Sequence, residues 1–339
     1  MKRRFLDVLP GVAFATAVAL ASMAVAALEE RALGHPVIEG LVVAILLGMA
    51  IRSVWSPPER VDAGVRFTAK EVLEVAVFLL GASVDLPLLL KAGPSLAAGI
   101  VLVVMIGLAG SYAIGRMMNL PHKLAILVAC GNSICGNSAI AAVAPVIRAD
   151  KEHVASSIAF TAILGVVVVL GLPLLMHPLG FDNYQYGVLA GLTVYAVPQV
   201  LAAAFPVSVL SGQVGTLVKL VRVLMLGPVV VFFALTNRET AAVGETRPRI
   251  QLTRVIPWFI VGFLLLAAMR SYGAIPEAWV TPTRFVSGTL TVAAMAALGL
   301  GVDLRDLRRV GGSVVATVTL SLLMLLLLSV GLIRLLGIS

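Results

Sequence analysis

The sequence predicts an all-α polytopic membrane protein of about eleven transmembrane helices, some of them discontinuous, arranged with an inverted repeat. Three observations lead there. Of the 339 residues, 60% are hydrophobic and only 12% are charged, whereas a water-soluble domain carries about a quarter charged residues. The apolar residues fall into blocks of about twenty, the length a helix needs to cross about 30 Å of hydrocarbon. A 62-residue stretch also recurs once, at a constant offset.

The expected spans are 10–28, 37–52, 67–90, 94–115, 124–147, 154–176, 184–205, 214–235, 255–270, 285–304 and 312–333. Met1-Lys-Arg-Arg ahead of the first run resembles the start of a signal peptide. That run is long and carries no convincing cleavage site, so it reads as a retained first helix. With the N-terminus in the cytoplasm, sixteen Lys and Arg fall in cytoplasmic segments and seven in outer ones, with Lys219 and Arg222 inside the eighth span. This bias predicts N-in and C-out, and makes 236–254 a cytoplasmic loop. The net charge of +8 is then a topology signal, not a footprint for nucleic acid.

The repeat aligns 37–98 with 255–316 without a gap at an offset of 218, with 22 identities in 62 positions. Arg52-Ser53 matches Arg270-Ser271, Pro58-Glu59 matches Pro276-Glu277, and Val84-Asp85-Leu86 matches Val302-Asp303-Leu304. Spans 2–4 thus correspond to spans 9–11. A shift of seven spans is odd, which sets the second copy upside down. Inverted repeats are the architecture of secondary transporters, which expose a midplane site to each side in turn.

The most informative stretch is Val128–Pro145, which carries Cys-Gly-Asn-Ser twice, at 130–133 and 135–138. Gly131 and Gly136 weaken the helix, while Asn132, Ser133, Asn137 and Ser138 bring polar side chains to a depth without bulk water. An unpaired polar group there costs several kcal/mol. Such residues either pack helices closely or line a polar cavity at an interrupted helix, the usual transporter device. Cys130 and Cys135 have no histidine or acid beside them and read as small packing residues. A second candidate break is Thr193–Ala203: Pro198 removes a helix hydrogen bond and Gln199 follows it. This stretch echoes the first, since Ala141, Ala142, Pro145 and Val146 recur as Ala202, Ala203, Pro206 and Val207.

Five charged positions remain. Lys219 and Arg222 share a helix face; snorkelling to the outer interface is the plain account of such charges and is open to Lys219, while Arg222 lies deeper. A buried Arg222 needs an anion, a distant carboxylate such as Glu74, or half-helix carbonyl ends to compensate it. Asp85 and Asp303 occupy equivalent repeat positions and serve either as helix caps or as ligands of a coupling proton or sodium ion. Glu74 is the best placed proton carrier, unless Lys70 pairs with it.

Gly131–Ala142, Val197-Pro-Gln-Val200 and Thr216–Arg222 resemble signature segments of the bacterial sulfate-exporter family, the YeiH-type inner-membrane proteins. The resemblance covers nearly the whole chain. It implies an integral inner-membrane transporter similar in fold to bile-acid:sodium symporters and cation/proton antiporters, with crossed broken helices in a core domain beside a panel domain. The resulting expectation is a secondary transporter for sulfate or a sulfonate-like anion. Its site would comprise Asn132, Ser133, Gly136, Asn137, Ser138, Pro198, Gln199 and Arg222, with Glu74, Asp85 and Asp303 as coupling-ion candidates. A sodium- or proton-coupled organic-acid carrier is the alternative. A channel would need a continuous polar pore, and an enzyme would need a nucleophile–base pair or metal cluster, which the sequence does not offer. No cofactor is expected. The partners are the small anion, a coupling proton or sodium ion and membrane lipid, with a homodimer left open.

Overall fold

The computed structural model describes residues 2–33, 40–55, 57–84, 93–236, 257–303 and 312–337. Helix dominates these residues and no strand occurs among them. In chain order, α1 is Lys2–Leu33, α2 Gly40–Val54, α3 Glu59–Phe67, α4 Leu73–Leu80 and α5 Gly93–Met117. Next come α6 (His122–Cys130), α7 (Asn137–Val143), α8 (Lys151–Gly171), α9 (Asn183–Thr193) and α10 (Val197–Ala204). The chain ends with α11 (Val209–Leu224), α12 (Leu226–Thr236), α13 (Trp258–Ser271), α14 (Glu277–Leu300) and α15 (Gly312–Leu335). Among the described residues, six helices are long and apolar enough to cross a membrane, including 93–117, 209–236 and 312–335. Three shorter apolar ones accompany them, Gly40–Val54, His122–Cys135 and Trp258–Ser271. The protein is an all-α polytopic membrane protein.

The chain divides into two compact units, one from 1–90 and 258–306, the other from 91–257 and 307–339. In the first, α3 runs through a π turn, Thr68–Val72, into α4 and closes in a 3₁₀ turn, Gly81–Ser83. Helix starts recur at the sequence offset: Gly40 and Trp258, Glu59 and Glu277, both 218 apart. The packing recurs in reciprocal form. A Cβ on Gly299 of α14 would strike the carbonyl of Ile45 in α2, and one on Gly81 would strike the carbonyl of Phe263 in α13. The second contact is the first with each partner moved to its repeat equivalent. The matched arginines hold local acids, Arg52 to Asp62 at 3.6 Å and Arg270 to Glu277 at 2.7 Å.

The second unit corrects two expected spans. Residues 124–147 and 184–205 are not continuous helices; each doubles back on itself as a hairpin. Lys123 at the start of α6 donates to the carbonyl of Arg148 at 2.7 Å, although a continuous helix would hold residues 25 apart at roughly 37 Å. Ile140 packs against Gly131, as the two arms of a hairpin require. The turn is Gly136 at φ 65° and ψ −129°, a backbone that a residue with a Cβ adopts only under strain. In the second hairpin, the Tyr186 hydroxyl of α9 donates to the Ala203 carbonyl of α10 at 2.8 Å.

The two hairpins enter from opposite ends of this unit. The base of the first lies by the end of α5, where Gly115 meets Ala125 and the α15 residue Thr317. At the other end of α15, Arg334 donates to the Leu179 carbonyl at 3.0 Å, just ahead of the second hairpin. The tips meet: a Cβ on Gly136 would sit 3.5 Å from Tyr195.

Candidate functional site

Turning a helix back inside hydrocarbon frees carbonyls that must be paired. At the first tip the freed carbonyls are those of Asn132, Ser133 and Ile134, in the π segment Gly131–Cys135. At the second they are Gly191, Leu192 and Val194, where α9 gives way to extended chain. Two side chains of α11 collect them all. Lys219 donates from Nζ to Ile134 at 2.6 Å and Val194 at 2.9 Å. Arg222 donates from Nε to Ser133 at 3.2 Å and from Nη2 to Asn132 at 3.1 Å. Its Nη1 reaches Gly191 at 2.9 Å, Leu192 more closely, and Val194 at 3.4 Å. Their spacing of three puts both cations on one helix face.

Both cations are completely buried. Lys219 therefore does not snorkel: carbonyls inside the unit satisfy its ammonium better than the interface could. Of the three compensations open to Arg222, the structure supplies half-helix carbonyl ends. Glu74 instead accepts from the indole of Trp258 at 2.7 Å within the first unit. Lys70 sits by Glu71 at 3.5 Å. Residues 93–236 hold only three carboxylates, Asp150, Glu152 and Asp182, each at the start of a helix. Among the described residues none forms an ion pair with Lys219 or Arg222. The tips thus carry two formal positive charges offset by neutral carbonyl dipoles.

The two Cys-Gly-Asn-Ser copies take different roles. In the first, Asn132 and Ser133 are fully buried; Asn132 Nδ2 donates to Ser111 at 3.1 Å, and Ser133 packs by Gly107 of α5. Both give main-chain oxygens to Arg222, while Asn132 Oδ1 and Ser133 Oγ have no partner among the described residues. In the second copy Gly136 makes the turn, and Asn137 and Ser138 are exposed. The Thr161 hydroxyl of α8 donates to Asn137 Oδ1. Gln199 reaches the same helix one turn on, where a Cβ on Gly165 would collide with its amide. Its Oε1 also accepts from the Ala196 amide at 3.2 Å, capping the returning arm. Pro198 lies in the first turn of α10, where no donor is missed, so it starts a helix and kinks none.

The structure therefore brings Asn137 and Gln199 to one face of α8, at Thr161 and Gly165, with the exposed Ser138 next to Asn137 in the chain. Asp303 belongs to the first unit, past the end of α14, and Asp85 lies outside the described residues, as does the expected loop beyond Thr236. Sequence reasoning missed Thr161 and Gly165. Their four-residue spacing was the available signal, but it is ordinary within an apolar helix. Cys130 and Cys135 are buried and unbridged, and no metal-holding cluster occurs among the described residues.

Fold and site together define a class, polytopic α-helical membrane proteins in which two oppositely entering hairpins are pinned tip to tip by buried cations. A family model described as conserved hypothetical protein 698 matches residues 10–318. The chain is 54% identical over 333 residues to a UPF0324 membrane protein of Brucella suis, covering 98% of each. It is 53% identical over 335 residues to one from Bradyrhizobium diazoefficiens, covering 98% of this chain and 94% of that one. A Bacillus anthracis UPF0324 membrane protein is 36% identical over 271 residues, 80% of this chain and 79% of that one. The chain belongs to this family, the YeiH-type UPF0324 membrane proteins.

Proposed function

We propose that the protein is a secondary transporter that moves a small anion, sulfate or a sulfonate-like compound, across the bacterial inner membrane by alternating access. One observation carries this reading: Lys219 and Arg222 are fully buried at the meeting point of two hairpins with no carboxylate paired to them among the described residues. Buried charge in a membrane is expensive and marks substrate pathways. A field of this sign attracts an anion, and the exposed amide of Asn137 and hydroxyl of Ser138 offer it hydrogen bonds beside Thr161 and Gln199. Arg222 contributes charge, its own donors being taken by carbonyls. The pairing of repeat-equivalent contacts in the first unit supports the inverted repeat, and rocking about such an arrangement would change the exposure of the site.

The hairpins also refine the orientation. With the N-terminus cytoplasmic, residues 148–151 now fall on the cytoplasmic side, which raises the Lys and Arg count there to eighteen against five outside. This stronger bias favours N-in. The proposed cycle requires no enzyme chemistry.

Flux of radiolabelled sulfate into proteoliposomes tests the function. Saturable uptake that shows counterflow is the expected result; uptake linear in concentration would point to a channel, and none with any small anion would remove the proposal.

A further inference from the structure

Transporters with interrupted helices commonly use the freed carbonyl ends to coordinate the coupling cation. Here those ends are already occupied. The carbonyls of Asn132, Ser133, Ile134, Gly191, Leu192 and Val194 all accept from Lys219 or Arg222. The geometry points to Lys219 and Arg222 as tethered counter-cations that stand in the position of a mobile coupling cation, so that no sodium ion binds at the hairpin tips.

Three features support this. The donors come from one helix, three residues apart, yet each reaches both hairpins: Lys219 bonds Ile134 and Val194, and Arg222 bonds Ser133 and Leu192. That is the bridging role a bound cation plays between two half-helix ends. The ammonium of Lys219 is also a compact point charge, the side chain closest in character to an alkali ion. Two of its N–H donors bond main-chain oxygens, at 2.6 and 2.9 Å. Finally, no acidic side chain joins the shell among the described residues, and a sodium ion added to two existing positive charges would meet repulsion without a carboxylate to offset it. Lys219 and Arg222 are thus positioning residues. They fix the tips against one another and set the sign of the field, without binding substrate directly.

The statement about coupling rests on the transporter reading; the occupancy of the carbonyl cage does not, and is read on purified protein in detergent. The melting temperature of the wild type is measured in sodium, potassium and choline chloride at equal ionic strength. One value in all three is expected; a saturable rise specific to sodium that persists in a Glu74→Gln, Asp85→Asn, Asp303→Asn triple variant would overturn the proposal. Lys219→Ala removes the ammonium and leaves a slot lined by the Ile134 and Val194 carbonyls. It is expected to melt lower than the wild type and to recover with added n-propylammonium in a concentration-dependent way. Tetramethylammonium, with the same charge and no N–H, should not restore it. Equal recovery with both cations, or none with propylammonium, would refute the filling of that slot. If Lys219→Ala does not accumulate, the wild-type salt series decides. Sodium-independent sulfate uptake in proteoliposomes is the matching functional result, and its absence alongside an unchanged melting series would count against the transporter reading alone.

Discussion

Lys123 donates to the main-chain oxygen of Arg148 across 2.7 Å, and this bond closes the base of the first hairpin. A spanning helix would separate these residues by the thickness of the bilayer. The consequence is an accessibility pattern. Single cysteines at Asn119 and Asp150, placed in a background with Cys130 and Cys135 replaced by alanine, should react with an impermeant thiol reagent from the same side, the cytoplasmic one. A cysteine at Gly180 should react from the opposite side, with Ser339. Labelling of positions 119 and 150 from opposite sides would restore a crossing span.

Arg222 is held by five carbonyls. Arg222→Gln should therefore lower stability substantially, because each buried acceptor left without a donor costs about 1–3 kcal/mol. Glu74→Gln should not restore it, since that carboxylate bonds Trp258. Melting temperatures of the single and double variants check this; rescue by the second change would reinstate a carboxylate partner for Arg222.

The hairpin turn gives a purely conformational prediction. Gly136→Ala must hold φ 65°, at a cost of about 1–3 kcal/mol, with no steric collision, since the added Cβ would make only ordinary contact with Tyr195 at 3.5 Å. Stability should fall while the protein still inserts. An unchanged melting temperature would mean the turn adjusts freely.

Asn137 and Gln199 separate binding from support. Asn137→Ala exposes no new cavity and should leave stability nearly unchanged while weakening anion binding, measured by ligand-induced thermal shift. Gln199→Ala should weaken both, because its amide also caps the arm that begins at Ala196, a contribution of about 0.5–2 kcal/mol. Equal affinity for sulfate in Asn137→Ala and wild type would leave the exposed amide without a role.

Much of this was legible in the sequence. Hydrophobic blocks located the helices. The polar pair within Gly136–Ser138 located a break, because glycine weakens a helix and hydrogen-bonding side chains cannot face lipid unpaired. Pro198-Gln199 located the second break through a missing main-chain donor followed by a polar amide. What periodicity could not reveal was direction. A helix that kinks and continues and one that turns back have the same composition, and here the backbone angle at Gly136 decides between them. The partner of Arg222 was equally hidden. Main-chain carbonyls have no letter in the sequence, so a cation satisfied by them reads as unpaired.

The glycine contacts of the first unit bear on how the protein is made. Gly48 of α2 lies so close to α14 that a Cβ would stand 2.9 Å from the amide nitrogen of Leu300. Some 250 residues separate the two, and at 5–20 residues per second a ribosome needs roughly 12–50 s to supply the later one. Until then the face of α2 that carries Gly48 has no α14 to pack against, although α1 and α3 already meet at Gly11 and Gly64. Biogenesis must therefore hold that face of α2 without its partner while residues 91–257 are inserted, which makes a chain truncated before α14 a natural substrate for membrane quality control.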